Sequence, residues 1–428
     1  MKVNVIHIDL NPCGGAEQLA IATLQSFLEM ETMQVDLTVA RAPDLERLEK
    51  AFGDRVRRIF DRVKVKPLGR LPIELDWQTG TLACRPGAES AISEYDVIVN
   101  THGDVLPYFL PSFSSKTCIT YCHFPVVASY VACRNLVYLQ GLVDLGLLDG
   151  NVMKVANSSS MFWRSFLEYY LLMLRNSLVV TNSRFSRQAI INEVKTGASK
   201  AAGEPTIIAP PVCVDELRQA ALLPSPRADR VLVVSRIYPS KKLENAIELA
   251  RILKRRGVGK EMVIAGNLAA DDSCGRKYYE QLVGMIGDYG LSDYVSIKPN
   301  VELGKLWSLM QKSKAYFHPM PEEPFGISVV EAMAAGLVPA VPATGGPTEF
   351  VPQEYQFHSL EEAAGIIQAA LQVSDKERLA ISDSVKRFSL PAYTRRFSQF
   401  ISERLLATAA ATAHYERRTV AGRRPGLD

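Results

Sequence analysis

The sequence lacks the patterns that most directly indicate disulfide, redox or metal chemistry. Its 428 residues include seven scattered cysteines and no C-x-x-C pair, so a disulfide framework is disfavoured and a reducing compartment is expected. No G-x-G-x-x-G occurs, which argues against a nicotinamide-dependent dehydrogenase. No D-x-D triplet occurs either. Because that triplet is the usual carboxylate clamp for a metal ion on a diphosphate, we expect no metal and no other cofactor.

Long uninterrupted apolar runs are also lacking. The N-terminus, M-K-V-N-V-I-H-I-D-L, alternates as a strand does and is not expected to be a signal peptide. The most apolar window, residues 161–180, is interrupted by Arg164, Glu168 and Arg175, so no membrane-spanning helix is expected there. The net charge of +3 is too small to indicate a nucleic-acid partner. These features predict a cytoplasmic protein that is soluble or lies on a membrane surface.

One short segment, Cys118-x-x-x-Cys122-His123, has a faint similarity to a metal-binding cluster. The same residues end an apolar run that is typical of a strand. We therefore favour a structural interpretation of the two cysteines over a zinc site.

Strand-like and helix-like runs alternate along the whole chain. Strands are predicted at 3–10, 97–101, 117–121 and 178–181, with helices at 16–30, 161–174 and 184–193. After a break rich in Gly, Ala, Ser and Lys at 195–204, the alternation restarts with a buried strand at 230–235 and continues to a strand at 337–341. This pattern predicts an α/β protein with two Rossmann-like domains that face a central cleft.

The break also gives the expected domain limits. We place an N-terminal domain at 1–206 and a C-terminal domain at 207–390, because A-P-P-V at 209–212 follows the break. A last helix, 391–410, is expected to return and pack on the first domain. Residues 411–428 contain four arginines with Gly and Pro, and we expect them to form a mobile basic tail.

The most informative stretch is P-E-E-P-F-G-I-S-V-V-E-A-M-A-A-G at 321–336. Ser328-x-x-Glu331 has the spacing of a capping box, which predicts a helix that begins at about Val329 and a purely structural alternative for Glu331. Gly326 removes a side chain just before that helix, where free N–H groups and the helix dipole suit an anion. Glu323 precedes the turn and is placed to reach hydroxyl groups on whatever carries the anion, although a solvated loop acid is the commoner case.

A second stretch, S-R-I-Y-P-S-K-K at 235–242, supplies cations. Arg236 follows a buried strand directly, and α/β sheets place ligand-binding groups at such strand ends. Lys241 lies five residues later, so that together the two side chains are suited to hold a diphosphate. Two solvated charges at a helix start are the alternative.

Two further segments follow predicted strands of the first domain. Gly14 and Gly15 in N-P-C-G-G-A-E-Q lie between the first strand and the first helix, where a backbone anion site is possible. His123 in T-Y-C-H-F-P lies just past another strand end, on the side where α/β sheets bind ligands. A single histidine is more often structural, but this position favours a functional one.

Taken together, these motifs resemble the retaining nucleotide-sugar glycosyltransferases of GT-B fold, of the family 4 type. The resemblance is closest to the mannosyltransferases of lipid-linked oligosaccharide assembly, and it covers nearly the whole chain. The segments that carry it are G-G-A-E at 14–17, C-H-F-P at 122–125, N-S-R-F-S at 182–186, S-R…K at 235–241, E-P-F-G-I-S-V-V-E-A-M-A-A-G at 323–336 and G-G-P at 345–347.

The resemblance implies a role for each candidate residue. Arg236 and Lys241 would hold the donor diphosphate and stabilise the charge that develops on it as it leaves. Glu323 and the backbone of Phe325, Gly326 and Ile327 would bind the sugar hydroxyls. The ribose would be bound by Glu331. In the first domain, Gly14 and Gly15 would let the backbone approach the donor phosphate or the acceptor, and His123 would contact the transferred sugar near the reacting carbon.

The function implied by the resemblance is retaining, metal-independent transfer of a hexose, with mannose from GDP-mannose as the first choice, to a lipid-linked or other glycan acceptor. One alternative is a soluble sugar-to-sugar transferase, such as a disaccharide synthase that uses a UDP- or ADP-sugar. Another is a non-catalytic nucleotide-sugar-binding subunit of an oligosaccharide complex. For the acceptor, basic residues between Arg55 and Arg70 and an aromatic segment at 161–174 suggest a peripheral contact with the cytoplasmic face of an anionic membrane.

Overall fold

Two parallel sheets, each flanked by helices, organise the computed structural model. The structure describes residues 1–30, 32–70, 73–76, 78–84, 94–103, 117–195, 203–222, 226–268 and 273–421. The chain divides into two units. The first contains Met1–Val180, Ile191–Ile208 and the segment that starts at Tyr393, and the second contains Thr181–Ile190 and Ala209–Ala392.

The first sheet is built from short apolar strands that alternate with helices. Within the described residues its strand order is β3-β2-β1-β6-β7-β8-β9, with parallel pairing from β3 to β8, while β4 and β5 form a separate antiparallel hairpin. In chain order the elements are β1 (Lys2–Ile6), α1 (Gly15–Leu28), β2 (Gln34–Val39), α2 (Leu45–Phe52), α3 (Arg55–Phe60), β3 (Lys64–Pro67), β4 (Ile73–Asp76), β5 (Thr81–Cys84), β6 (Val97–Asn100), β7 (Thr117–Tyr121), α4 (Val126–Ala132), α5 (Leu136–Asp144), α6 (Val152–Ala156), α7 (Ser160–Asn176), β8 (Leu178–Thr181), α8 (Arg184–Lys195) and β9 (Thr206–Ile207).

The centre of this sheet determines where its polar groups gather. β1 and β6 are buried neighbours, and the chain leaves them toward opposite edges of the sheet. Parallel sheets bind ligands beyond the carboxyl ends of strands at such a reversal of strand order. His7 follows β1 directly, and Thr101 follows β6 directly. Polar side chains of the first unit, His7 and Thr101 among them, therefore gather at this reversal of strand order.

The second sheet has the order β12-β11-β10-β13-β14-β15, and all its recorded pairs are parallel. Its elements are α9 (Val214–Leu222), β10 (Ala228–Val234), α10 (Glu244–Arg255), β11 (Glu261–Gly266), α11 (Ser273–Asp288), β12 (Val295–Pro299), α12 (Leu303–Gln311), β13 (Ser313–Phe317), α13 (Ile327–Ala334), β14 (Val338–Pro342), β15 (Gln356–Phe357), α14 (Leu360–Ala370) and α15 (Asp375–Ser384). Short 3₁₀ turns lie at Pro239–Lys241, Gly346–Glu349, Gln353–Tyr355 and Lys386–Phe388.

Helix α13 is central to the second unit and is held in place at its carboxyl end. Val329, Val330 and Met333 of this helix are fully buried in the core. Arg227 donates to the carbonyl of Ala335 at 2.7 Å, and the buried Arg378 donates to the carbonyl of Gly336 at 3.3 Å. Cations are favourable at helix carboxyl ends, where carbonyl groups lack intrahelical partners. These contacts fix the helix that begins beside Glu323.

Residues 181–190 correct the expected domain limits, which assigned them to the first domain. In the structure they belong to the second unit. The reason is a set of hydrogen bonds that their motif makes there: the Ser183 hydroxyl donates to the Pro324 carbonyl at 2.6 Å, and the Phe185 N–H donates to Glu349 at 2.9 Å. No local pattern indicates these contacts, because their partners lie more than a hundred residues away along the chain.

The last helix, α16 (Leu390–Ala421), belongs to the first unit from Tyr393 onward. The Tyr393 hydroxyl lies 2.7 Å from that of Thr23, and the rings of Phe397 and Phe27 meet edge to face at 5.5 Å. The prediction of a mobile tail from residue 411 is wrong for 411–421, which are helical, because the L-A-T-A-A-A-T-A run favours helix. Residues 422–428 lie outside the described residues.

Candidate functional site

The second unit gathers the predicted cations and acids at the carboxyl ends of its central strands. Arg236 lies two residues after β10, and Lys241 ends the 3₁₀ turn Pro239–Lys241. Glu323 lies in the loop that joins β13 to α13. β10 and β13 are hydrogen-bonded neighbours, so side chains 87 positions apart in the sequence (Arg236 and Glu323) come from adjacent strand ends.

Lys241 and Glu323 form a partly buried ion pair. The Lys241 ammonium donates to Oε2 of Glu323 at 2.8 Å. Burial by itself raises the pKa of the Glu323 carboxyl, but its cationic surroundings, above all the charge and hydrogen bond of Lys241, outweigh it and hold that pKa below its usual value. Glu323 is therefore an ionised hydrogen-bond acceptor at neutral pH.

Arg236 differs from Lys241 in having no partner among the residues that the structure describes. Its side chain is exposed, and it makes no hydrogen bond or ion pair with the residues that the structure describes. The neighbouring Lys242 is also exposed, has a left-handed backbone with φ of 53°, and lies 3.9 Å from Glu244. Of the two adjacent lysines, Lys241 is thus the one that faces Glu323.

Helix α13 begins at Ile327, with Gly326 as its N-cap at φ of 90°. The predicted capping box of Ser328 and Glu331 is wrong, because Ser328 already lies inside the first helical turn. Its hydroxyl instead pairs with that of Tyr316 at 2.8 Å. A β-carbon at position 326 would lie 3.0 Å from Pro347 as well as adopting a strained φ, so this N-terminus requires glycine.

Glu331 lies one turn into α13, and its environment is unlike that of Glu323. It is partly buried, and burial raises the pKa of its carboxyl to about 7. In the described part of the chain no side chain or backbone donor hydrogen-bonds to this carboxylate. Phe325, by contrast, contributes its ring to the core, against Phe350 and Phe388 at 5.5 and 5.4 Å.

Two segments that had no predicted role, N-S-R-F-S at 182–186 and G-G-P at 345–347, contact the loop that contains Glu323. The Gly346 N–H donates to the Glu323 carbonyl at 2.8 Å, and a β-carbon on Gly346 would lie 2.1 Å from the Pro324 carbonyl oxygen. The Ser183 hydroxyl donates to that same carbonyl. The segments N-S-R-F-S, E-P-F-G and G-G-P therefore meet in one backbone cluster of the second unit, and the sequence order gave no sign of it.

Sequence reasoning missed His318, which directly follows β13. Its side chain is 3% exposed, and its Nε2 atom lies 3.7 Å from Oε2 of Glu323. Its Nδ1 atom is 3.4 Å from the Tyr316 hydroxyl. Burial lowers the pKa of this imidazole to about 4. The sequence contained a usable signal, because His318 directly follows a strand. The same kind of position was the reason for choosing His123 as a candidate.

In the first unit, Gly14 is the N-cap of α1 and Gly15 is its first residue. The Gly14 N–H donates to Oε2 of Glu17 at 2.6 Å, and Oε1 of Glu17 lies 3.5 Å from Nε2 of the buried His7. Burial raises the pKa of Glu17, but the hydrogen bond and charge of His7 outweigh it and hold that pKa below its usual value. The Gly14 N–H predicted to face a phosphate thus already has an anionic acceptor within the chain.

His123 joins the same cluster through Thr101. Its Nε2 atom lies 3.0 Å from the Thr101 carbonyl, while the Thr101 hydroxyl lies 3.0 Å from Nδ1 of His7. Because a carbonyl oxygen only accepts, Nε2 of His123 carries a proton. Gly103, which sequence reasoning also missed, has φ of 88°, and a β-carbon there would lie 2.4 Å from the Tyr121 carbonyl.

The zinc alternative finds no support in the described residues, which contain no group of three His, Cys, Asp or Glu side chains arranged to hold a metal ion. Cys122 is buried, and its sulfur lies 3.6 Å from the Tyr170 hydroxyl. The residues that the structure describes also contain no single helix long and apolar enough to cross a membrane. Only α4 and α5 together, bent by 117°, meet the length and composition criteria.

The predicted membrane-facing groups are largely engaged within the first unit. Phe162, Trp163, Phe166 and Tyr170 of α7 are buried, so these aromatic rings belong to the core. In the basic run, Arg57 pairs with Glu49 at 2.7 Å, Lys66 with Asp36 at 2.8 Å, and Arg70 with Asp149 at 3.3 Å. The charge available at the surface is therefore smaller than the sequence indicated.

Comparison with known proteins gives consistent results for the second unit and for the fold. Residues 215–380 match the family of glycosyl transferases group 1. The solved glycosyltransferase from Rickettsia africae has a TM-score of 0.63 at 14% identity, with 94% of this chain and 98% of that chain covered. The sucrose-phosphate synthase from Thermosynechococcus elongatus has a TM-score of 0.60 at 15% identity, with 95% and 100% covered. The GT-B fold predicted from the motifs is confirmed.

Relatives similar in sequence include proteins named GDP-Man:Man(3)GlcNAc(2)-PP-Dol alpha-1,2-mannosyltransferase. That of Neurospora crassa is 24% identical over 71% of this chain and 59% of its own length, and that of Caenorhabditis elegans is 24% identical over 69% and 66%. The human protein is 35% identical over 26% of this chain and 24% of its own length. The chain thus spans less than two thirds of the length of these relatives.

Proposed function

We propose that this chain, a GT-B glycosyltransferase close to mannosyltransferases, transfers mannose from GDP-mannose to a lipid-linked glycan. The observation that carries the proposal is the arrangement around Glu323: an unpaired Arg236, the Lys241–Glu323 ion pair and the N-terminus of α13 in one loop cluster. The names of the relatives, which specify GDP-Man and a PP-Dol-linked glycan, support the choice of donor and acceptor.

The chemistry of glycosyl transfer matches these groups. The nucleoside diphosphate leaves from an oxocarbenium-like centre, and negative charge builds on its phosphates. Arg236, Lys241 and the first N–H groups of α13 stabilise that charge, since preorganised donors are most effective where charge develops. Glu323 and the backbone of Phe325–Ile327 bind sugar hydroxyls, and Glu331 binds the ribose.

We extend the proposal to transfer with retention at the anomeric carbon and without a metal ion. Retention is implied by the resemblance of the motifs. Metal independence is supported by the missing D-x-D triplet and by two cations, Arg236 and Lys241, that can balance a diphosphate. In the first unit we assign His123 to the transferred sugar and Gly15 to the close approach of a ligand, because Glu17 already binds the Gly14 N–H.

The proposal is tested with purified protein and a matched set of donors and acceptors. GDP should raise the melting temperature more than UDP or ADP, and radiolabelled mannose should pass from GDP-mannose to a lipid-linked glycan. The product linkage should be alpha, and EDTA should leave the rate unchanged. Transfer only to soluble sugars would support a disaccharide synthase instead, and binding without transfer would support a non-catalytic subunit.

We also propose a peripheral contact of the first unit with the cytoplasmic face of an anionic membrane. The exposed Arg58 and Lys64, together with the 82% exposed Val137 of α5, support it. Each basic group near such a surface contributes up to about 1 kcal/mol. Sedimentation with phosphatidylserine vesicles should show binding that falls at high salt and weakens when Arg58 and Lys64 become Glu. Absence of binding at low salt contradicts the contact, and neutral vesicles serve as the control.

A further inference from the structure

His318 is a buried polar side chain of the second unit that has no role in the proposed mechanism. It is 3% exposed, and its Nε2 atom has no hydrogen-bond partner among the described residues. The carboxylate of Glu323 lies 3.7 Å away, which is too long for a hydrogen bond. Buried polar atoms are nearly always hydrogen-bonded in native proteins, so one that is not, beside a binding loop, requires an explanation.

The surroundings of His318 determine which ring nitrogen carries the proton. Burial keeps the imidazole neutral at pH 7, so that one nitrogen donates and the other accepts. A proton on Nδ1 would leave the Nε2 lone pair against the ionised Glu323 carboxylate. A proton on Nε2 avoids that repulsion and lets Nδ1 accept from the Tyr316 hydroxyl, 3.4 Å away, whose proton can alternatively go to the Val234 carbonyl, also at 3.4 Å. His318 thus presents an N–H group next to Glu323.

An N–H donor and a carboxylate acceptor 3.7 Å apart have a definite chemical complement. A hydroxyl group accepts one hydrogen bond through its oxygen and donates another through its proton, so it satisfies both. A phosphate oxygen only accepts and would be repelled by Glu323. An alkyl group would leave the His318 N–H unpaired, and Glu323 would be bound by Lys241 alone. The pair is therefore suited to a sugar hydroxyl, whereas Arg236 and Lys241 are suited to phosphate.

We infer that His318 and Glu323 together bind one hydroxyl group of the transferred sugar, and that His318 is a specificity-determining residue of the donor site. This inference rests on the proposed function, because it takes the donor to be a nucleotide sugar. It assigns to His318 a direct contact with the substrate and not merely the support of Glu323.

The test compares kcat/KM for GDP-mannose and for its four monodeoxy analogues. The wild type should reject one analogue by about tenfold or more, since the lost hydroxyl leaves the His318 N–H unpaired and removes one hydrogen bond to the charged Glu323. His318→Phe keeps a ring of similar size but removes the donor. It should lower kcat/KM for GDP-mannose about tenfold and accept that one analogue as well as GDP-mannose, with the Kd for GDP within about twofold of wild type. His318→Gln, which keeps an N–H donor, should restore part of the discrimination.

The exposed His358 of the same unit offers a matched control, and His358→Phe should change none of these values. If His318→Phe retains the wild-type discrimination, or if all analogues lose rate alike, His318 does not bind a hydroxyl and the inference is overturned. Loss of GDP binding in His318→Phe overturns it too. A wild-type protein that binds no nucleotide sugar refutes the proposed function and this inference together, whereas use of another nucleotide sugar moves the test to the deoxy series of that sugar.

Discussion

The polar clusters at the strand ends of the two units differ in how their charges are paired. In the first unit, Glu17 accepts from Gly14 and faces His7, and Thr101 contacts both His7 and His123. In the second unit, Arg236 and Glu331 have no partner among the described residues, and His318 faces Glu323 without a hydrogen bond. Within the described residues, Glu17, Thr101 and His123 of the first cluster are hydrogen-bonded to other protein groups, whereas the second cluster combines the Lys241–Glu323 pair with side chains that have no such partner. We infer that the second unit supplies most of the donor-binding energy and does so at a cost in its own stability.

The largest effect should follow from removing the cations of the second cluster. Arg236→Ala should lower kcat on the order of 10²-fold or more, because a preorganised charge at the leaving phosphate is lost. Its free energy of unfolding should stay within about 0.5 kcal/mol of wild type, since Arg236 is exposed and unpaired. Lys241→Ala should lower kcat similarly and should also cost on the order of 2 kcal/mol of stability, because Glu323 loses its nearest countercharge.

Lys242→Ala is the matched control for both, since Lys242 is exposed and adjacent to Lys241. Steady-state kinetics and urea unfolding measure the two quantities. Near-normal turnover of either the Arg236 or the Lys241 variant would remove these residues from the diphosphate site.

Glu331→Gln should increase the stability of the protein at pH 8 while it weakens the binding of GDP. The folded pKa of about 7 lies above the usual 4.5, so the native state loses stability relative to the unfolded state as the pH rises from 4.5 to 7, and the penalty is complete above pH 7. At pH 8 the variant should be more stable than wild type by on the order of 2 kcal/mol, and at pH 4 the two should agree. GDP should nevertheless bind more weakly, because an amide is a poorer acceptor for ribose hydroxyls.

Urea unfolding at several pH values and calorimetric titration with GDP measure these changes. Equal stability of variant and wild type at pH 8 would show that the Glu331 carboxylate is solvated in the free protein. That result would weaken the contrast between the two clusters.

Ser183→Ala should perturb the Glu323 loop through its backbone. The Pro324 carbonyl loses a 2.6 Å hydrogen bond, which should cost about 1–2 kcal/mol of stability. Affinity for GDP-mannose should fall more than affinity for GDP, because Glu323 precedes Pro324. Ser186→Ala is the control, since its hydroxyl lies 3.5 Å from the same carbonyl and should contribute less. Equal effects of the two substitutions would mean that Ser183 does not position the loop.

Glu17→Gln should have the smallest effect on the free energy of unfolding, because the glutamine side chain can replace the carboxylate in its hydrogen bond with Gly14. The amide oxygen can still accept from Gly14, so the loss at pH 7 should be under about 1 kcal/mol. The pKa of Glu17 is lowered by folding, so its contribution is present above pH 4.5 and is lost as the pH falls further. The difference between variant and wild type should therefore shrink in acid.

Glu17→Ala, which leaves the Gly14 N–H without its acceptor, should cost more than Glu17→Gln. Thermal unfolding between pH 3 and pH 7 compares them. If both substitutions cost the same at pH 7, the hydrogen bond to Gly14 has no energetic weight.

The sequence by itself determined the alternation of strands and helices, because burial in a two-layer α/β fold imposes short apolar strands and amphipathic helices locally. β7 (Thr117–Tyr121) and β8 (Leu178–Thr181) show how closely local patterns specify an element, because both have the limits predicted from the sequence. The sequence also identified Arg236, Lys241 and Glu323 as candidate site residues, because a position that follows a parallel strand can be recognised from the sequence pattern. The GT-B fold followed from motif resemblance.

Only the tertiary structure decided how those residues are paired. The capping box failed because Ser328 meets Tyr316, a partner that the local spacing of Ser328 and Glu331 does not include. Residues 181–190 joined the second unit because their hydrogen bonds reach Pro324 and Glu349. The burial that leaves His318 neutral and Glu331 with a raised pKa is likewise a property of three-dimensional packing. Desolvation and long-range hydrogen bonds depend on distances through space, and a sequence pattern records only distances along the chain.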